Sequence, residues 1–318
     1  MKEYKILAEK DTRSGFGEGL LQAGKENPNV VALCADLSPS VRMDLFQKEF
    51  PERFVEVGIA ESNMVSIASG MALSGKIPFV GSFAAFSTGR TYDQIRQSVA
   101  YSDTNVKIAG SHAGITLGED GATHQILEDI GLMKMMPNMV VINPCDYTQA
   151  KQATIASARY KSPVYIRYGR PKVPVFLTED TPFEIGKALM INEGKDVSIF
   201  ATGHLVWQAI LAAQELEKEG ISAEIINIHT IKPLDKDAIL KSVKKTGCAV
   251  VCEEHLYNGG LGDSIAQALV MNYPAPVEYI GIDDKFGESG KPMQLMDKYG
   301  LNAKNIVEKA KKVIARKK

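Results

Sequence analysis

Short apolar runs and helical patterns alternate along the chain. VVALCA (30–35), IPFVGSF (77–83), VKIAG (106–110), MVVI (139–142) and VYIRY (164–168) are short, rich in β-branched residues and free of polar alternation. That is the pattern of strands covered on both faces. Between them the spacing predicts helices. In SNMVSIASGMAL, residues Met64, Ile67, Ala68, Met71 and Ala72 recur at helical intervals, with small Ser and Gly between them that allow very close packing. Repeated strand–helix order implies right-handed crossovers, and so a mostly parallel sheet with helices on both faces.

The texture then changes. GRPKVPVFLTEDTPFEIGKALMINEGKD carries three prolines, scattered charge and poor periodicity. This predicts a connection near 170–193, with one domain at 1–175, a linker at 176–193 and a second domain at 194–318. A second α/β series follows: VSIFATG, the helical WQAILAAQELEKEG, ISAEIINI, GCAVVCEE, a helix after GGLGDS, and PVEYIGI. The last helix opens at Asn302, a good N-cap, and Ile306, Val307, Ala310, Val313 and Ile314 line one of its faces. Its RKK end suits a helix C-terminus and reads as a solvated tip. The expected class is α/β, two domains, each a mostly parallel sheet covered by helices on both faces.

Composition narrows the choices. The chain has 318 residues, 45% hydrophobic and 24% charged, which suits about two domains. A net charge of -1 gives no electrostatic case for nucleic acid or an anionic membrane. No apolar run approaches the roughly 20 residues of a membrane helix. The charged start MKEYKILAEKDTR lacks a signal-peptide core, so a cytoplasmic location is expected. The closest cysteines, Cys248 and Cys252, lie on one strand-like run. At about 3.3 Å per residue they stand roughly 13 Å apart, too far for a disulfide. With Cys34 and Cys145 they read as structural, and no metal-binding spacing is present.

Candidate chemistry gathers in the first domain. In EVGIAESNM a glycine follows a strand, and Glu61 opens an apolar, small-residue helix. A carboxylate there is either favoured by the helix dipole or held for a partner. GSFAAFSTGRTYDQIRQ sets Phe83 and Phe86 between strand and helix, where two core aromatics are equally good sense of the pattern. SHAGITLGEDGATHQ (111–125) holds His112, the acid pair Glu119–Asp120 and His124 among three glycines. Each feature is weak alone. Together, the strand ends carry Arg13, the ADLSPS loop, Glu61, both phenylalanines, His112, the GEDGATHQ loop and Arg167. Such loops collect on the sheet edge where α/β folds bind ligands. Imidazoles with arginines suit a polyhydroxylated, phosphorylated substrate.

VALCADLSPS, FVEVGIAESNM, GSFAAF and above all SHAGITLGEDGATHQ resemble the pyrimidine-binding domain of transketolases, which use thiamine diphosphate. ATGHLVWQAILAAQELEKEG, IHTIKPLD and CEEHLYNGGLGDSIAQAL are similar to that family's C-terminal domain. The resemblance covers nearly the whole chain. The family's diphosphate-binding domain holds magnesium through a GDG motif, and no GDG occurs here. The resemblance therefore implies the C-terminal subunit of a split transketolase, a transferase active only with its partner. An N-terminal chain would supply the diphosphate and magnesium sites, in an α2β2 assembly built on a homodimer of this chain.

The same resemblance implies roles. Glu61 matches the carboxylate that hydrogen-bonds the cofactor pyrimidine and promotes loss of the thiazolium C2 proton. Phe86 matches the stacking ring, Phe83 lines that pocket, and Asp36 stands close to the cofactor. His124 and Asp120 match readers of the donor's hydroxyls, His124 also counting as catalytic. His112, Arg13, Arg167 and Ser40 match the sugar-phosphate end. No residue of this chain is expected to bind metal. The implied reaction moves a two-carbon ketol unit from a ketose phosphate to an aldose phosphate, as in the pentose phosphate pathway.

The pattern also departs from the family. Gly89 stands where transketolases commonly place a tyrosine, RTYDQ looks more like deoxyxylulose-phosphate synthase, and HAGI replaces HDSI. The roles of Arg90, Tyr92 and His255 stay open. Two rivals remain: the beta chain of a 2-oxoacid dehydrogenase, which shares the GIAE glutamate but lacks GEDGATHQ, and a non-catalytic regulatory homolog, against which Glu61, Phe86, Asp120 and His124 argue.

Overall fold

A computed structural model describes residues 4–317. Met1–Glu3 of the charged start and Lys318 of the RKK end lie outside the described residues. The apolar runs are strands. Val30–Cys34, Lys107–Ser111 and Val197–Ala201 are buried at every position, as strands covered on both faces must be.

The first sheet holds six parallel strands, in the order Val140–Ile142, Val164–Arg167, Lys107–Ser111, Ile77–Phe83, Val30–Cys34 and Phe54–Glu56. A seventh, Thr230–Lys232, comes from the second half of the chain and pairs antiparallel with Val140–Ile142. The second sheet has Val277–Ile282, Ala249–Leu256, Val197–Ala201 and Ala223–Asn227 in parallel, with Leu189–Asn192 antiparallel at its edge. One apolar cluster runs from Met64, Ile95 and Met133 under the first sheet to Phe200, Val251 and Leu261 under the second. The two domains therefore share a core.

The connection is more ordered than expected. Lys172–Val175 pairs antiparallel with Ala8–Asp11, and Leu189–Asn192 belongs to the second sheet. The stretch without helix or strand between them is thus 176–188. Its prolines and charges mask the two short edge strands, where proline is tolerated.

Helix Thr12–Glu26 packs across Tyr147–Arg159. The approach is so close that a side chain at Gly15 would meet the Tyr147 carbonyl oxygen at 2.3 Å. Asp11 caps the helix, accepting from the Ser14 amide, and this fixes the direction of Arg13. Asn302 caps Ala303–Ile314 in the same way, with Ile306, Ala310 and Val313 buried. All four cysteines are free and buried. Among the described residues, no helix is long and apolar enough to cross a membrane.

Candidate active site

The carboxyl ends of the parallel strands meet in one stack of planar groups. Ile77–Phe83 ends at Phe83, and Lys107–Ser111 passes directly into His112. His112 has a left-handed backbone, φ 57°, rare for a residue with a side chain. Its imidazole lies on Phe83 with centroids 3.9 Å apart, and Phe83 lies nearly parallel to Phe86 at 5.7 Å. The Arg90 guanidinium sits 4.4 Å over the Phe86 ring and donates to Glu61 Oε2 at 2.9 Å. His124 meets Phe86 edge-on at 5.3 Å and Phe83 at 6.4 Å. Glu61, first residue of helix Glu61–Leu73, is only 3% exposed.

The far end of the stack is cationic. Arg13 Nη1 donates to His112 Nε2 at 3.1 Å and to the Ser40 carbonyl at 2.8 Å. Arginine can only donate, so Nε2 accepts and the ring proton sits on Nδ1, 2.9 Å from Ser111 Oγ. Burial first, and then the nearby Arg13, Arg170 and Arg42 charges, push the His112 pKa down to about 3. His112 is therefore neutral at physiological pH. Arg42 Nε is buried with no hydrogen-bond partner among the described residues. Ser40 contributes its backbone oxygen to this end.

Arg167 does not belong there. Its guanidinium is buried and pairs with Asp129 at 2.8 and 3.2 Å, and a further N–H donates to the Glu254 carbonyl at 2.8 Å. Tyr165 adds a hydroxyl to Asp129 at 2.6 Å. Arg167 is the last residue of strand Val164–Arg167 and is buried with these partners, so its side chain is committed to the core between the domains. The arginine beside the site is Arg170, past the strand end, which donates to the Leu117 carbonyl at 2.7 Å and to Glu119 at 2.6 Å. Its position after VYIRY, rather than within it, was the available signal.

The GEDGATHQ loop is held from the second domain. The Thr116 amide donates to Glu254 Oε1 at 2.7 Å. Gln125 Nε2 donates to the carbonyls of Ile115, Gly118 and Glu288 at 3.1, 3.3 and 3.0 Å. Gly114, at φ 80°, is required, since a Cβ there would lie 2.2 Å from Glu254 Oε1. With the backbone tied down, Asp120 is exposed and His124 half-buried, its Nδ1 2.9 Å from Thr123 Oγ1. Asp36 is also exposed, with φ 58°, and its amide donates to Glu56 at 2.8 Å.

Two open residues are now located. Tyr92 packs against the main apolar cluster rather than over Phe86. His255 is fully buried, with Nδ1 2.8 Å from the Leu256 carbonyl and Nε2 accepting from the Gly131 amide at 3.2 Å. That is a structural imidazole bridging the domains.

Sequence comparison decides the family. Residues 8–175 match the profile of the transketolase pyrimidine binding domain, and residues 186–306 that of the transketolase C-terminal domain. The chain belongs to the transketolase family. A chain of Methanocaldococcus jannaschii named as a transketolase C-terminal section is 46% identical over 310 residues, covering 95% of this chain and 97% of that one. A 6-deoxy-6-sulfo-D-fructose transketolase subunit of a Clostridium species is 42% identical, covering 98% and 97%. Human transketolase is 34% identical over 99% of this chain, but the match spans only 51% of the human enzyme. A solved split-gene transketolase, described as an inactive beta4 tetramer, superposes with a TM-score of 0.91 at 43% identity, covering 97% of this chain and 99% of that one. The chain is a subunit of the split-transketolase kind, carrying the pyrimidine-binding and C-terminal domains. Neither rival from the sequence is favoured.

Proposed function

We propose that this chain is the C-terminal subunit of a thiamine diphosphate-dependent transketolase. It acts with a separate N-terminal chain that holds the diphosphate and magnesium, in an α2β2 assembly. The reaction is transfer of a two-carbon ketol unit from a ketose phosphate to an aldose phosphate. The observation that carries this reading is the buried Glu61 carboxylate beside the Phe86 ring. The flat Arg90 guanidinium touches both, and an aminopyrimidine is likewise a flat polar group that stacks on a ring and hydrogen-bonds a carboxyl at its edge.

In this reading the Glu61 carboxyl hydrogen-bonds a pyrimidine ring nitrogen and shares a proton with it, Phe86 stacks on the ring, and Phe83 and Asp36 border the same space. The bound cofactor supplies the carbanion chemistry, and the protein supplies orientation and a water-poor setting. Asp120 and His124 hydrogen-bond the donor's hydroxyls, which discriminates against sugars lacking them. Arg13, Arg170 and Arg42, with neutral His112 and the Ser40 region, receive the anionic end of the sugar. The named subunits for sulfofructose and for apulose 4-phosphate among the relatives fit a site for tetrahedral oxyanions, with phosphate the reading adopted here. Four buried free thiols suit a reducing compartment, the cytoplasm.

The experiment is reconstitution. The purified chain, given thiamine diphosphate, magnesium and a ketose phosphate, should transfer no ketol unit. Adding the N-terminal chain from the same host should restore transfer. Robust turnover by the isolated chain contradicts the split assignment, and decarboxylation of a 2-oxoacid by the pair contradicts the reaction.

A further inference from the structure

Arg90 is the residue the resemblance left without a role, and it touches both groups assigned to the cofactor. Its Nη1 donates to Glu61 at 2.9 Å while its guanidinium covers Phe86 at 4.4 Å. Among the described residues, no other hydrogen-bond or ion-pair partner of the Glu61 carboxylate is found. The backbone delivers Arg90 there by an unusual route. Its amide bonds the Ala85 carbonyl, five residues back, at 3.3 Å. That is a π-type turn, which inserts one extra residue and rotates the side chains that follow it. Ser87, Thr88 and Thr91 are buried along the same turn and bond carbonyls four residues back, which fixes its course. The Arg90 side chain itself is half-exposed, 50% against 3% for Glu61, so it can swing into water without disturbing the core.

A guanidinium is a flat π-system with N–H donors in its plane, and it stacks on aromatic faces. A protein carboxylate beneath one edge and a phenyl ring beneath one face are what an aminopyrimidine would also use. We propose that Arg90 is an internal stand-in for the cofactor's pyrimidine. It neutralises Glu61 and covers Phe86 in the unloaded subunit, and it must be displaced when the cofactor binds. The proposal rests on the reading of Glu61 and Phe86 given above. Its consequence is a built-in competitor: apparent affinity falls by the fraction of time Arg90 is in place. A half-exposed ion pair plus one cation–π contact is a modest competitor, so the expected effect is about three- to tenfold.

The test uses the full chain and the isolated pyrimidine half of the cofactor, 4-amino-5-hydroxymethyl-2-methylpyrimidine, titrated by ligand-observed NMR. Arg90→Ala should bind the pyrimidine about three- to tenfold more tightly than wild type, and Arg90→Lys should fall between them. In a Glu61→Gln background the gain from Arg90→Ala should shrink below about twofold, since the contested carboxylate is gone. Unchanged or weaker binding by Arg90→Ala, including no detectable binding, overturns the proposal while leaving Glu61 as the cofactor's carboxylate wherever adding Glu61→Gln to Arg90→Ala weakens binding. If Glu61→Gln leaves pyrimidine binding unchanged in the Arg90→Ala background, where no competitor remains, the reading of Glu61 fails and the stand-in fails with it. Arg90→Gln, which keeps a planar donor, guards against a folding defect: it should bind as Arg90→Lys does if displacement is the cause.

Discussion

Glu61 and Glu254 are both 3% exposed, yet they are kept in different ways. Glu254 accepts the Thr116 amide at 2.7 Å, stands 3.5 Å from His204 Nδ1 and lies within the field of Arg167. Burial raises its pKa, but the His204 contact, the Arg167 charge and the Thr116 bond outweigh burial and hold the pKa below the ordinary carboxylate range. Every one of those partners is itself buried, so none can leave without the domain interface opening. Among the described residues, the Glu61 carboxylate has one partner, the half-exposed Arg90. A buried carboxylate with interlocked partners is part of the framework. A buried carboxylate with one removable partner is prepared to exchange that partner for a ligand.

Substitution sharpens the contrast. Removing one member of a buried, interlocked charge group leaves the others unpaired, which costs about 3–5 kcal/mol. Arg167→Ala and Glu254→Ala should each lose stability of that order in urea denaturation, while Glu61→Ala should change it by less than about 1 kcal/mol, as for a surface-type pair. Comparable losses at Glu61 and Glu254 break the comparison.

A smaller effect concerns pH. Burial and three arginines hold folded His112 near pKa 3, whereas the unfolded chain takes up that proton near 6.5. Between those values the unfolded state binds more protons, so stability falls as pH drops from about 6.5 toward 3. His112→Gln removes this contribution. Urea midpoints measured from pH 7 to 4 should decline less steeply in the variant than in wild type, and equal slopes contradict a neutral, arginine-flanked imidazole.

Much of this architecture was legible because strands buried on both faces leave no polar alternation: Val30–Cys34 and Ile77–Phe83 stand out as apolar runs. The Asn302 cap and the amphipathic last helix were equally plain. Helix Thr12–Glu26 was not, because its four glycines suggest a turn until the close approach of Tyr147–Arg159 explains them. Thr230–Lys232 could not be assigned to the first sheet, since nothing local to it says which sheet it joins. Within the site, the motifs marked Glu61, Phe83, Phe86, His112 and His124, which the fold brings into one stack. Arg167 misled because charge was weighed without its strand position, and Arg90 lacked an expectation because a π-type turn has no sequence signature.

The proposed division of labour gives Glu61 to the cofactor and the GEDGATHQ loop to the sugar. Hydrogen–deuterium exchange at the thiazolium C2, followed by NMR in the chain reconstituted with its N-terminal partner, separates the two before any sugar is added. Glu61→Ala should abolish the exchange. Asp120→Ala should leave it within about an order of magnitude of wild type, yet lower kcat/KM for a ketose phosphate by an amount equivalent to roughly 1.5–3 kcal/mol, as for a lost hydrogen bond to a charged group. If Asp120→Ala slows exchange as severely as Glu61→Ala, the loop acts on the cofactor and the division is wrong.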